Sequence, residues 1–236
     1  NGVIDTSAEQ DGVDGIDTDC DGNGVPDDIT TVCTGGHPPE FLGHDDECVL
    51  HTTNFGAYNE WGRSVCLDAG DPYSGGAGNA WVGTHNRTPN NQFYKIDGQS
   101  GGIVETIDLP ANVKPYGCAV DGNGVLWTLG GWNNPDTPGP LAWINTHNTS
   151  QVGGTIHEPY TSRNHFYGIS VDSDGNIWMG GWDTFDVFRY RPDRTTFSTL
   201  GQGAWTRIRT SENTNIQHTR GIAGDLRGWI WVASNN

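Results

Sequence analysis

Residues 14–28 read DGIDTDCDGNGVPDD and place oxygen-bearing side chains at nearly every other position. Carboxylates this dense repel one another unless a cation sits among them. Counted from Asp17, oxygens fall at positions 1, 3 and 5 (Asp17, Asp19, Asp21), Gly22 stands at the turn position 6, and Asp28 stands at 12. This is the spacing of a calcium loop, in which alternate side chains project into one concave turn and supply the ~6 to 8 oxygens a hard cation requires. A second register starts at Asp19 and uses Asp21, Asn23 and Asp27 with Gly24 at the turn, so the segment has donors for one ion or two. The chemistry is ion holding rather than catalysis.

A second group suits ligand binding. Trp132 and Trp182 each follow a Gly-Gly pair, 50 residues apart, and each is followed by Asn133 or Asp183. An indole presents a broad apolar face with a polar edge, and neighbouring amides or carboxylates can bond hydroxyl groups, so these positions suit a sugar ring. His85, His165, Tyr167 and Arg220 fall in segments expected at the same end of the molecule. No catalytic residue is assigned: the sequence contains no Gly-x-Ser-x-Gly, no His-Glu-x-x-His and no phosphate loop. Glu158 adjoins His157, but neighbours in an extended chain point to opposite sides and form no acid–base pair.

These groups are positioned by an internal repeat. RSVCLD at 63–68, YGCAVD at 116–121, YGISVD at 167–172 and RGIAGD at 220–225 are four copies of one phrase, with the aspartates at 68, 121, 172 and 225. Each copy continues through a glycine-containing turn to a tryptophan: Trp81, Trp127, Trp178 and Trp231. Strand, tight turn and second strand make a β-hairpin. Two further strands are expected after each hairpin, at 92–97 and 102–107, at 141–145 and 152–156, and at 186–190 and 196–200. Four strands per ~50 residues is the period of a propeller blade. The expected fold class is therefore all-β, with blades of four antiparallel strands preceded by a calcium-binding loop segment.

The phrase G-I-S-V-D-x-x-G-N-I-W at 168–178 resembles the blade signature of the virginiamycin B (streptogramin) lyase-like propellers, which are similar to NHL-repeat propellers, over about residues 47–236. The resemblance implies that the Val-Asp strand lies innermost and the Trp strand second. It also implies loops from both strands at one mouth, where those lyases place His, Glu and magnesium. His157, His165 and His218 are then the residues to inspect, although the lyase catalytic motif has no counterpart in this sequence. DTDCDGNGVPDD at 17–28 resembles thrombospondin type 3 and related bacterial calcium repeats, implying a spacer stiffened by calcium.

With 12 basic and 29 acidic residues the formal charge is −17, which repels phosphate backbones and anionic lipid and makes cations the favoured ligands. No 18-residue apolar run exists, so membrane insertion is not expected. The five cysteines, Cys20, Cys33, Cys48, Cys66 and Cys118, include no CxxC pair. Cys20 and Cys33 suit a short stapled loop, with Cys48 competing for either partner. Cys66 and Cys118 either bridge adjacent blades or pack as small hydrophobes. The expected organisation is a calcium repeat over 1–34 and blades over 47–236, three whole units with partial ones at the ends. Three blades do not close a ring, so further blades and a preceding N-terminal stretch are expected. The functional expectation is an extracellular or cell-surface calcium-binding propeller with a structural, adhesive or ligand-binding role, its partners calcium and a glycan or another surface protein. The alternatives are a carbohydrate-binding module and a streptogramin lyase-like enzyme.

Overall fold

The structure is a computed structural model that describes residues 52–55, 61–70, 78–85, 91–110, 113–130, 139–160, 165–184, 186–209, 218–225 and 227–235. The calcium segment, Cys20, Cys33, Cys48, Trp132 and Asn133 lie outside the described residues. The chain divides into two units, Asn1–Asn54 and Phe55–Asn236, and the blades belong to the second.

Three four-stranded antiparallel sheets follow one another along the chain. The first contains β1 (Trp61–Leu67), β2 (Asn79–His85), β3 (Gln92–Asp97) and β4 (Ile103–Asp108). The second contains β5 (Pro115–Val120), β6 (Val125–Gly130), β7 (Leu141–Asn145) and β8 (Val152–Ile156). The third contains β9 (Phe166–Val171), β10 (Ile177–Gly181), β11 (Asp186–Arg191) and β12 (Ala204–Arg209). A hairpin of β13 (His218–Gly224) and β14 (Ile230–Asn235) begins a fourth. Strand order in each sheet follows chain order, and β1, β5, β9 and β13 pack against one another in succession. The phrase strand is thus innermost in every blade, as the resemblance implies.

One expected strand is displaced. The segment 196–200 was expected to be the outer strand of the third blade, yet Phe197–Gln202 forms a 3-10 turn and the strand is β12, Ala204–Arg209. The cause is local: Thr196 and Thr199 form a capping box, and the turn tucks Leu200 into the core. Thr52 and Thr53 lie in no strand.

The core lies between blades. Trp81, Phe93, Ile107, Leu109 and Val113 of the first blade and its connection pack with Leu126, Ala142 and Ile144 of the second. Val125, Trp127, Leu129 and Leu141 pack in turn with Phe166, Ile177, Met179, Phe188 and Tyr190 of the third. Burying one such side chain contributes about 1.5–3 kcal/mol, which makes these layers the main cohesion of the fold. Cys66 on β1 and Cys118 on β5 form a disulfide with a Cα–Cα separation of 5.8 Å, so the first two innermost strands are also joined covalently. The outer faces of the terminal blades are apolar. Val65 is 66% and Trp231 64% exposed, whereas Trp81 and Trp127, at the repeat position of Trp231, are fully buried. A neighbouring blade is what buries this position.

Candidate functional site

Each phrase aspartate closes its own hairpin. Asp121 Oδ1 accepts from the Asn123 and Val125 amides at 2.8 and 3.1 Å, and Oδ2 accepts from Trp127 Nε1 at 2.8 Å. Asp172 repeats the pattern with the Asp174 and Asn176 amides and Trp178 Nε1, and Asp225 with the Arg227 and Trp229 amides and Trp231 Nε1. In the first copy the longer turn is spanned by Gly70 N, Asn79 N and Trp81 Nε1, all donating to Asp68. The turn demands glycine at one position: Gly124, Gly175 and Gly228 have φ of 70°, 75° and 82°, a left-handed conformation that costs other residues energy. Burial by itself raises the carboxyls of Asp68 and Asp172, but the donated hydrogen bonds outweigh it and hold both below the ordinary carboxylate range. These aspartates are fasteners, satisfied internally, and they sit at one end of the innermost strands.

The other end of those strands carries the candidate site. Every innermost strand breaks register with its neighbour near its start. Gly62 pairs with Thr84 and Ser64 with Gly83, leaving Arg63 as an extra residue; Tyr116 and Arg220 are extra in β5 and β13 in the same way. In β9, Tyr167 and Gly168 stand opposite the single Gly180. Such a bulge bends the strand and re-aims a side chain. Arg63, Tyr116, Tyr167 and Arg220 are the first residues of the four phrase copies, so the bulge recurs with the repeat.

The four residues form a continuous row. The Arg63 guanidinium lies over the Tyr116 ring at 4.2 Å and donates to its hydroxyl. Tyr116 meets Tyr167 edge-on at 4.8 Å. Arg220 lies over Tyr167 at 5.6 Å and over Trp182 at 4.5 Å. Close approach of the strands depends on Gly168, where an added Cβ would stand 2.2 Å from the Arg220 carbonyl oxygen. Trp182 stacks on Tyr167 at 5.0 Å and on His218 at 4.4 Å, and its carbonyl bonds His218 Nδ1. Trp182, which the sequence offers as a face for a sugar ring, is half-buried within an aromatic row of the protein's own making.

His85 reaches this row through an edge contact with Tyr116 at 5.8 Å. Burial, reinforced by Lys114 and Arg63, pushes its pKa down and favours the neutral imidazole. Burial also raises the Tyr116 phenol, with Arg63 opposing. His165 is buried; its Nδ1 pairs with Asp183 Oδ2, which also accepts the His165 amide at 2.9 Å. Of the residues assigned to the site from sequence, Tyr167, Trp182 and Arg220 are in mutual contact, His85 joins them through Tyr116, and His165 flanks them through Asp183. Tyr116 falls in the 114–116 segment that the sequence reading puts at the mouth, whereas Arg63 was missed as a ligand-facing residue. The signal was present, because Arg63 occupies the phrase position that holds Tyr116, Tyr167 and Arg220.

The other histidine weighed as an acid or base, His157, is exposed beyond the end of β8, while Glu158 is buried and accepts the Tyr160 amide at 2.6 Å. At the fastener end, a cavity of about 310 Å³ is lined by Asn123, Val125, Arg194, Thr195, Phe197 and Leu200. Its one cation is committed to the fold: Arg194 Nη2 bonds Asp121 Oδ2 at 2.8 Å and the Gly175 carbonyl at 2.7 Å. Among the described residues no group of three or more His, Cys, Asp or Glu is placed to hold a metal, and no helix is long and apolar enough to cross a membrane.

Comparison with known proteins places this geometry. The family described as Two component regulator propeller matches residues 162–183, the stretch running from the mouth of the third blade to Trp182. None of the curated proteins matches the chain. Among solved structures, a catalytically inactive virginiamycin B lyase from Staphylococcus aureus with quinupristin is 14% identical with a TM-score of 0.57, covering 78% of this chain and 52% of that one. A streptogramin B lyase is 16% identical with a TM-score of 0.52, covering 74% and 48%. PorZ, a surface component of the type-IX secretion system of Porphyromonas gingivalis, is 16% identical with a TM-score of 0.50, covering 73% and 24%. The chain spans about half the length of the lyases it matches. At these identities the likeness is one of fold, and on that ground the chain has blades of the β-propeller fold seen in these lyases.

Proposed function

We propose that this chain is an extracellular or cell-surface propeller that binds a ligand at the mouth formed by its bulged innermost strands, on a spacer stiffened by calcium. One observation carries the reading: Arg63, Tyr116, Tyr167 and Arg220, displaced from the ladder at the same repeat position, join Trp182 and His218 in one row. A strand that only packs against its neighbours gains nothing from a bulge that exposes an arginine or tyrosine. A rigid scaffold with such groups at its mouth is where ligands bind. Calcium is supported by the donor chemistry of Asp17, Asp19, Asp21, Asn23, Asp27 and Asp28, all hard oxygen ligands at loop spacing. In this reading the ion holds the spacer and takes no part in ligand chemistry.

A carbohydrate is the ligand class best matched to phenol, imidazole and indole edges, which offer hydrogen bonds beside apolar surface. Trp132 and Asn133 belong to the same reading as the counterpart of Trp182 one blade earlier. A glycan array tests the ligand role: signal lost in both Tyr167→Ala and Trp182→Ala supports it, and signal that survives both contradicts it. Calorimetry with calcium chloride at millimolar concentration tests the spacer, where heat of binding abolished by Asp19→Asn with Asp21→Asn is expected and no uptake contradicts it.

A further inference from the structure

Resting on that reading of the mouth, we propose that its ligand is anionic: a saccharide whose carboxylate or sulfate groups are taken by Arg63 and Arg220 at the two ends of the Tyr116–Tyr167 pair. The chain carries −17, and some of its arginines are held by carboxylates. Arg207 is held by Asp186 at 2.5 Å and Arg194 by Asp121 at 2.8 Å. Arg63 and Arg220 are not: among the described residues neither is in an ion pair, and each lies instead over a tyrosine ring. Lys114 adds a third positive charge near His85, on which it acts together with Arg63.

Among the described residues, four carboxylates at this end have partners of their own. Asp108 accepts from Gln92 Nε2 at 2.5 Å, Glu158 from the Tyr160 amide, Asp183 from His165 and Asp186 from Arg207. The guanidinium groups of Arg63 and Arg220 are therefore not taken up by these carboxylates. A guanidinium stacked on a ring keeps its in-plane N–H donors directed past the ring edge, and that fork matches a carboxylate or sulfate. Arg220 Nε and His85 Nε2 are buried without a hydrogen-bond partner among the described residues, so the polar capacity of the row is not used up within the protein. The tyrosine hydroxyls between the arginines suit the hydroxyls of the same saccharide.

The test is calorimetric titration of the intact chain with a panel of uronate, sialate and sulfated oligosaccharides, each paired with a neutral counterpart of the same skeleton, such as an oligogalacturonide and its methyl ester. At least one acidic member is expected to bind ten-fold or more tightly than its neutral partner, and to weaken as sodium chloride is raised from 50 to 500 mM. Arg63→Gln and Arg220→Gln should each reduce that affinity about ten-fold. Arg227→Gln, in a fastener turn at the far end of the blade, should leave it unchanged, and unaltered thermal unfolding of each variant confirms its fold. Equal binding of acidic and neutral partners overturns the anionic ligand and leaves the mouth as a neutral-sugar site. An acidic preference indifferent to both arginine substitutions overturns the assignment to this row, and no binding by any acidic member overturns the proposal. The glycan-array comparison of Tyr167→Ala and Trp182→Ala decides the underlying reading separately.

Discussion

The Trp127 indole N–H donates to the Asp121 carboxylate at 2.8 Å across a hairpin of six residues, and both side chains are buried. The same bond is 2.8 Å from Trp81 to Asp68, 2.7 Å from Trp178 to Asp172 and 3.1 Å from Trp231 to Asp225. One fastener is therefore used four times, in surroundings that run from dry to wet. Its energetic weight should follow that gradient, because a hydrogen-bond donor stranded in a dry core costs more than one that water can reach.

Asp121→Ala removes a carboxylate that serves two amides, an indole and Arg194, and leaves buried donors unpaired. We expect a loss of about 3–5 kcal/mol in urea unfolding, whereas Asp225→Ala, beside the exposed Trp231, should cost far less. Equal losses at the two sites would refute the gradient.

Reduction should loosen the first two blades. The Cys66–Cys118 bridge closes a loop with a sequence separation of 52 residues, for which chain entropy gives a stabilisation of about 4 kcal/mol. Thermal unfolding with and without a phosphine reductant checks this, with the Cys66→Ala, Cys118→Ala double variant expected to match the reduced protein and to be indifferent to reductant.

Gly168→Ala places a methyl group against the Arg220 carbonyl, where backbone rather than a mobile side chain is in the way. The strands must part. We expect about 1–3 kcal/mol of destabilisation, together with ligand affinity lost beyond what the stability change explains, since Arg220 moves away from Tyr167 and Trp182.

Acid should act in two stages. The folded pKa of His85 is depressed, so its contribution is complete above the unfolded value near ~6.5 and declines as pH falls through that value towards the folded one. The carboxyls of Asp68, Asp172 and Asp225 are also depressed; their contribution is complete above ~4 and is lost below it. Urea midpoints measured from pH 8 to pH 3 should fall first modestly and then steeply. His85→Gln should abolish only the first step. Bound calcium should leave across the carboxylate range as well, because its ligands must be ionised.

The blades were legible in the sequence because three signals coincide in each phrase: apolar inner-strand positions, a turn needing glycine, and the Asp–Trp pair. The 3-10 turn at 197–202 was not. Its Thr196–Thr199 capping competes with extension through side-chain bonds that composition does not reveal, and β12 reads as polar because the outermost strand buries little. Tyr167, Trp182 and Arg220 could be assigned to one face because loops alternate between the two ends of a blade. Arg63 escaped notice because a bulge leaves no mark in one copy and emerges only when the four phrases are compared. The closed stack of Trp182 on Tyr167 and His218 joins a connection to two innermost strands, and no spacing rule foretells it.

Ligands are expected to meet the bulged row and not the fastener end. Indole N–H resonances report this directly, since Trp81, Trp127, Trp178 and Trp231 mark one end of the blades and Trp182 the other. In a heteronuclear NMR titration with the tightest glycan from the array, the Trp182 indole signal should shift while the four fastener signals stay within line width. Shifts confined to the fastener indoles, with Trp182 unmoved at saturation, would contradict the account.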